Sequence, residues 1–91
     1  MLGIYKFYWG CGGMGDLKSL FIADDHAVKN AIGKEIYFGE VLGKHSEIVG
    51  ELEEGDVVLV SNTQEDIDFF QRLDLTIGLN PLDFISEDAN E

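Results

Sequence analysis

The sequence predicts one α+β domain, with a largely antiparallel sheet of about five strands and two short helices in the order ββαβββα. Three observations predict this class. Runs of β-branched and aromatic residues recur along the chain, separated by glycine-rich or acidic turns. Only two segments carry the caps and the apolar spacing of a helix. The 91 residues, taken as a single domain over 1–91, suffice for one modest core.

The N-terminal part of the chain predicts a β-hairpin. The opening run "LGIYKFYW" alternates and places Tyr5, Phe7 and Trp9 on one side of a strand. Residues 17–23 lack a helical period and predict the returning strand. The aromatic residues of this hairpin are therefore expected to form core and subunit interface, since a small domain needs most of its aromatics for its own stability.

The loop "GCGGMG" between these strands matches the dinucleotide pattern G-x-G-x-x-G, and Glu35 follows Gly15 by twenty positions. That motif requires a helix whose N-terminus meets the pyrophosphate, whereas here a strand is predicted to follow. We therefore predict a glycine-rich bend, whose residues supply unusual backbone angles or allow close approach of a ligand. The candidate ligand-binding residues are Trp9, Gly10, Cys11, Gly12, Gly13 and Gly15.

The segment "ADDHAVKNAIGK" predicts the first helix, of about two turns. Asp24 or Asp25 is the expected N-cap, and Gly33 is the expected stop. The apolar face of this helix is predicted to consist of Ala27, Val28, Ala31 and Ile32.

A second hairpin is predicted directly after this helix, closed by a two-residue turn at Gly43 and Lys44. The face that carries Tyr37 and Ile48 is expected to be core, because these large residues would cover glycines on the facing strand. A three-residue turn would instead place Glu40 opposite Ile48. The two-residue turn pairs Leu42 with His45, Glu40 with Glu47, Phe38 with Val49, Tyr37 with Gly50, and Gly39 with Ile48.

The last third of the chain predicts a strand and a helix. The run "DVVLVS" is rich in β-branched residues and predicts a buried strand. Thr63 and Asp66 form a capping pair, and Ile67, Phe70 and Leu73 follow at helical spacing. We expect residues 86–91 to form a frayed acidic tail.

The net charge of −12 lies almost entirely in the second half of the chain. Residues 1–50 hold six acids and five bases, whereas residues 51–91 hold twelve acids and Arg72. Such a field repels phosphate backbones and anionic lipids, which argues against direct binding of nucleic acid or membrane, and it attracts basic protein surfaces. Simple solvation is the competing explanation. The candidate partner-binding residues are Glu51, Glu53, Glu54, Asp56, Glu65, Asp66, Asp68 and Asp74.

The sequence carries no familiar catalytic motif, since G-x-S-x-G, H-E-x-x-H and Walker patterns are absent, and we predict neither enzyme activity nor a cofactor. Glu40, His45 and Glu47 come nearest to a metal site, but they lack a signature spacing and are predicted to be polar residues of a hairpin tip. A metal-dependent enzyme built on them would require bound metal. One cysteine, no leader and no membrane span predict a cytoplasmic protein.

In size, acidity and lack of a catalytic motif, the chain resembles the small acidic proteins that bacteriophages and mobile elements use against host defences, such as DNA-mimic anti-restriction proteins and anti-CRISPR inhibitors. The resemblance implies inhibition by occlusion. The leading hypothesis is a non-enzymatic protein whose acidic C-terminal half occludes a basic, nucleic-acid-binding surface of a host protein. The alternative is a sponge for a small ligand or nucleotide signal, held by the loop 10–15 at the subunit interface of a homo-oligomer.

Overall fold

The computed structural model describes residues 1–43 and 47–86, and within them the element order ββαβββα is confirmed. The fold is mixed α+β, with two antiparallel sheets. No helix in these ranges is long and apolar enough to cross a membrane. The strands are β1 (Leu2–Gly10), β2 (Asp16–Asp24), β3 (Glu35–Gly39), β4 (Ile48–Glu51) and β5 (Val57–Ser61), and the helices are α1 (Asp25–Ala31) and α2 (Gln64–Leu73).

The larger sheet has the order β2-β1-β5, with β1 in the centre. The predicted first hairpin is confirmed, because β1 and β2 pair without interruption from Leu2 with Asp24 to Gly10 with Asp16. β5 lies antiparallel on the other side of β1, and its register shifts by one residue between Ile4 and Tyr5. The smaller sheet consists of β3 and β4.

The core lies between the two sheets, on the aromatic face of β1. Phe7 is almost fully buried, and the ring of Trp9 meets the ring of Phe38 edge-on at 5.6 Å. The opposite face of β1 is covered near Ile4 by α2. Burial of each large apolar side chain stabilises the fold by roughly 1.5–3 kcal/mol. The main core cluster comprises Tyr5, Phe7, Phe21, Val28, Ala31, Ile36, Phe38, Ile48 and Leu52.

Helix α1 begins as predicted, because the carboxylate of Asp24 accepts a hydrogen bond from the backbone N–H of His26 at 2.9 Å. The helix buries Val28 and Ala31, which lie one turn apart on its inner face. Ala27 was predicted on that face and is exposed. The short helix contacts the core only through the row of residues that contains Val28 and Ala31, and Ala27 lies outside this row.

The register of the second hairpin corrects the prediction. Gly39 pairs with Ile48 as predicted, but a bulge then shifts the ladder by one residue, so Tyr37 pairs with Val49. The predicted pairs of Tyr37 with Gly50 and of Phe38 with Val49 are therefore wrong. Phe38 points into the core and Tyr37 is 44% exposed, the reverse of the expected arrangement.

The hairpin connection is also longer than predicted. β3 ends at Gly39 and β4 begins at Ile48, so the ladder stops before it reaches Glu40 and Glu47. The predicted pair of these two carboxylates is not part of the sheet. The predicted partner of Leu42, His45, lies outside the described residues, as does Lys44.

β5 was predicted to be a buried strand and is an edge strand. The side chains of Val58, Leu59 and Val60 are each about half exposed, at 48%, 47% and 54%. A β-branched run predicts a strand equally well at the centre or at the edge of a sheet, and this sheet has only three strands. In the described parts of the chain, no strand covers the outer side of β5.

The C-terminal segment closes the outer edges of two strands. Ile77 exchanges backbone hydrogen bonds of 2.8 and 2.9 Å with Leu20 of β2. Farther on, Ile85 forms a bridge with Ile36 of β3, and the N–H of Ser86 donates to the carbonyl of Glu35 at 2.8 Å. Residues 87–91, most of the predicted tail, lie outside the described residues.

Candidate functional site

The glycine-rich loop is a hairpin bend, as predicted. Its residues Gly12–Met14 form one 3-10 turn, the N–H of Cys11 donates to the carbonyl of Gly15 at 2.9 Å, and β2 follows at once. No α-helix begins here, so the dinucleotide fingerprint is excluded. Gly12 and Gly15 have φ of +62° and +112° with open space where a Cβ would lie. Backbone angle, not close packing, explains these two glycines.

A cleft of about 550 Å³ lies beside this loop, between the end of β1 and β4. One wall consists of residues 8–11 and the other of residues 47–51, and Glu53 and Asp56 complete the lining. The two walls touch where Gly50 lies on the indole of Trp9, since a Cβ on Gly50 would be 3.3 Å from the ring. Gly50 therefore lets β4 pack directly against the tryptophan.

Asp56 holds Trp9 in place within the cleft. Its Oδ2 accepts a hydrogen bond from the indole Nε1–H of Trp9 at 2.9 Å and another from the backbone N–H of Glu53 at 2.9 Å. The backbone of Asp56 also accepts from the N–H of Tyr8 at 3.1 Å. Asp56, predicted to bind a partner, thus also has a positioning role, because it fixes the indole and the turn before β5.

Among the residues that the structure describes, the cleft is lined by four carboxylates and by no Lys or Arg. Glu47 accepts a hydrogen bond from the hydroxyl of Tyr37 at 2.9 Å, which raises the pKa of that hydroxyl. Glu51 pairs directly with Glu35 across the sheet, an opposition of like charges that a cation would relieve. Low-dielectric walls focus the negative potential of these carboxylates.

The acidic residues of α2 lie apart from this cleft. Residues 51–56 precede β5 and the first turn of α2 follows it, and a five-residue strand spans roughly 16 Å. The eight predicted partner-binding acids therefore form two groups, one before β5 and one from the first turn of α2 to its C-cap, not one surface. The residues of the second group are Glu65, Asp66, Asp68 and Asp74.

Several acids of α2 have local structural partners. Asp66 accepts a hydrogen bond from the hydroxyl of Ser61 at 2.5 Å, and its backbone N–H donates to Oγ1 of Thr63 at 3.3 Å. The side chain of Gln64 donates to Asp68 at 2.8 Å. Asp74 ends the helix with a φ of +52°. These contacts give local structural roles to residues that charge alone had assigned to a partner.

The predicted metal residues do not form a described site, because His45 lies outside the described residues and Glu47 is bonded to Tyr37. Among the described residues, Asp24, Asp25 and His26 each offer one potential ligand atom, and these atoms lie within 4.8 Å of one another. The Asp24 carboxylate caps α1, and the backbone N–H of His26 lowers the pKa of that carboxyl to about 2. Capping by Asp24, together with the ion pairs of the N-terminal ammonium with Asp24 and Asp25 at 3.0 and 3.1 Å, accounts for this cluster without a metal.

The cleft combines residues from two separate sequence predictions. Trp9, Gly10 and Cys11 come from the candidate ligand set, and three acids come from the candidate partner set, whereas Gly12, Gly13 and Gly15 do not line it. Sequence reasoning missed Tyr8 and Gly50. A glycine inside a strand indicates close backbone approach, so Gly50 was open to prediction. The acids that line the cleft are Glu47, Glu51, Glu53 and Asp56.

Comparison of the chain with protein-family models, with curated proteins and with solved structures finds no match.

Proposed function

We propose that the protein is a non-enzymatic inhibitor that binds a basic surface of another protein through its acidic cleft. The observation that supports this function is the described lining of the cleft, which consists of four carboxylates and one indole and includes no Lys or Arg from residues 1–43 and 47–86. A guanidinium in this cleft would donate hydrogen bonds to carboxylate oxygens beside Trp9. A phosphate group would meet only repulsion from the same carboxylates.

The target surface that we propose is one that otherwise binds nucleic acid. Such surfaces concentrate Lys and Arg, and each neutralised phosphate contributes to their affinity. A chain of net charge −12 is drawn to them over a distance of about one Debye length, roughly 8 Å at physiological salt. Binding would then exclude nucleic acid by occupation. A role against host defences, in a cytoplasm, is the setting that agrees with this mode of action.

The experiment compares two triple variants with equal loss of charge. The cleft variant carries Glu47→Gln, Glu51→Gln and Glu53→Gln, and the control carries Glu54→Gln, Glu65→Gln and Asp68→Asn. The probe is a fluorescein-labelled nona-arginine peptide, followed by fluorescence anisotropy at two salt concentrations. We expect the cleft variant to bind at least about tenfold more weakly and the control less than about threefold. Equal loss in both variants would mean that only total charge matters.

The ligand-sponge alternative stays a prediction and is disfavoured by charge. The candidate residues Trp9, Gly10 and Cys11 share their cleft with four carboxylates, which repel a nucleotide phosphate. A thermal-shift series with cyclic and linear nucleotides tests it. A stabilisation of several degrees by any nucleotide would favour the sponge over the inhibitor.

Homo-oligomerisation also stays a prediction, and we place its contact at the outer edge of β5. This strand holds no charged residue, and its apolar side chains Val58, Leu59 and Val60 are half exposed. Edge strands of this kind pair readily with another chain. Sedimentation velocity should show a concentration-dependent dimer that Leu59→Lys abolishes. A monomer at all concentrations would remove the proposed contact.

A further inference from the structure

One edge of β4 directs backbone groups away from β3. The N–H of Leu52 donates to the carbonyl of Lys34 at 2.9 Å, and its carbonyl accepts from the N–H of Gly33 at 2.7 Å. Alternate residues of an antiparallel strand direct their N–H and C=O groups to opposite sides. Val49 and Glu51 therefore direct theirs away from β3, and both residues line the cleft.

This edge has no strand partner among the described residues, unlike the outer edges of β2 and β3. Natural proteins commonly protect such an edge with lysine or proline. β4 has neither, and Glu51 and the neighbouring Glu47 are its flanking charges. If two copies of the chain paired through this edge, their glutamates would repel each other, so a second copy is not expected to bind here. A basic strand is complementary to it.

The side chains of the edge are spaced for such a strand. Val49 and Glu51 are alternate residues of β4, so their side chains share one face. Glu47 precedes the strand, and its carboxylate lies on the same face because it accepts a hydrogen bond from Tyr37, which pairs with Val49. The two carboxylates are separated by roughly 13 Å along an extended chain, which is four residue steps. In a strand with arginine or lysine at every second position, neighbouring cations are roughly 6.6 Å apart, and two cations four positions apart match the separation of these carboxylates. The residues between them would face the side of Trp9 and Gly50.

We propose that the basic partner binds as an extended segment that adds a strand to the outer edge of β4. This inference rests on the proposed function and specifies its binding mode: main-chain hydrogen bonds to Val49 and Glu51 provide affinity, and the carboxylates of the cleft select cationic side chains. The segment would contain alternating cationic and small or apolar residues over about five positions.

The test uses the intact protein and the peptide Val-Arg-Val-Arg-Val-Arg-Val. One companion peptide is N-methylated at its valines and another at its arginines. All amides of one alternate set point to the same edge of a strand, so only one set can pair with β4. We expect one companion to bind about tenfold more weakly and the other to retain its affinity. The fluorescence of Trp9, the only tryptophan, reports binding in the cleft.

The outcomes separate this inference from the proposed function. Equal affinity of the two methylated companions overturns strand addition, as does binding of nona-arginine without binding of the alternating peptide. In both cases inhibition through charge still stands. Failure of every cationic peptide to bind overturns the proposed function together with the inference.

A variant of the protein gives a second measurement. Val49→Pro removes the outward N–H of the edge and leaves the hydrogen bonds to β3 in place, and Val49→Ala removes the side chain but keeps the N–H. We expect the proline variant to lose the alternating peptide by about tenfold and to retain nona-arginine, whereas the alanine variant binds both. Equal binding of the alternating peptide by the two variants overturns the inference.

Discussion

The hydrogen bond between Trp9 and Asp56 joins two segments that are far apart in sequence. Asp56→Ala removes the acceptor of both the indole N–H and the N–H of Glu53, and we expect it to lower the free energy of unfolding by about 1–3 kcal/mol. Urea unfolding followed by tryptophan fluorescence measures this. Glu54→Ala, in the same turn but exposed, is the control and should change stability by less than about 0.5 kcal/mol. Equal effects would show that the bond contributes nothing.

Ser19 and Ser61 differ in whether the side-chain hydroxyl has a hydrogen-bond partner, and replacing them should change stability in opposite directions. The Ser19 hydroxyl is buried and has no hydrogen-bond partner in the described ranges, whereas the Ser61 hydroxyl donates to Asp66. We expect Ser19→Ala to raise the free energy of unfolding by about 0.5–1 kcal/mol and Ser61→Ala to lower it by a similar amount. The urea midpoints of the two variants give the signs. Destabilisation by Ser19→Ala would indicate a partner for this hydroxyl.

Asp24 links stability to pH. The backbone N–H of His26, followed by the N-terminal ammonium, lowers the pKa of this carboxyl from 3.8 to about 2. The stabilisation is fully present above the unfolded-state value of 3.8 and is lost as pH falls towards about 2. Asp24→Asn keeps the cap without the charge. The unfolding free energy of the wild type should therefore fall more steeply than that of Asp24→Asn between these two pH values. Parallel pH profiles would contradict the assignment.

At the scale of elements, the docking of the C-terminal segment depends on Gly78. Its φ is +75°, and a Cβ there would overlap the carbonyl of Lys18 and lie 3.0 Å from Cβ of Ser19. We expect Gly78→Ala to destabilise the protein by more than about 2 kcal/mol, because the segment must move away from β2. Gly13→Ala, with open space and an ordinary φ, is the control. Thermal unfolding measures both, and similar melting temperatures would show that the segment is loosely held.

Local sequence patterns predicted the helices and strands. The register of β3 with β4 and the exposure of β5 depend on long-range packing and were not predicted. The caps Asp24 and Thr63 were readable because each acts on backbone within three residues. The bulge that exposes Tyr37 was not, since it depends on how β3 and β4 meet the core. The exposure of β5 was hidden for a similar reason, because strand propensity does not encode the number of neighbouring strands.

At the scale of the whole molecule, charge predicted the class of partner but not the location of the site. The sequence shows that the second half of the chain carries most of the negative charge. That these acids lie in two groups, one before and one after β5, is evident only from the structure. The cleft could not be assembled from the sequence, because Trp9 and Asp56 are 47 positions apart and meet only through sheet packing. Gly50 carried the one local signal, that of close backbone approach.

The same net charge should have opposite effects on stability and on binding when salt is raised. The chain has eighteen acidic residues and only six Lys and Arg residues, so folding brings negative charges closer together than they are in the unfolded chain. Salt screens this repulsion, and we expect the urea midpoint to rise between about 20 and 500 mM NaCl. Binding of nona-arginine should weaken over the same range, because salt also screens the attraction. A control with Glu54→Gln, Glu65→Gln and Asp68→Asn should gain less stability from salt. A midpoint that falls with salt would mean that attractive pairs outweigh the repulsion in the folded chain.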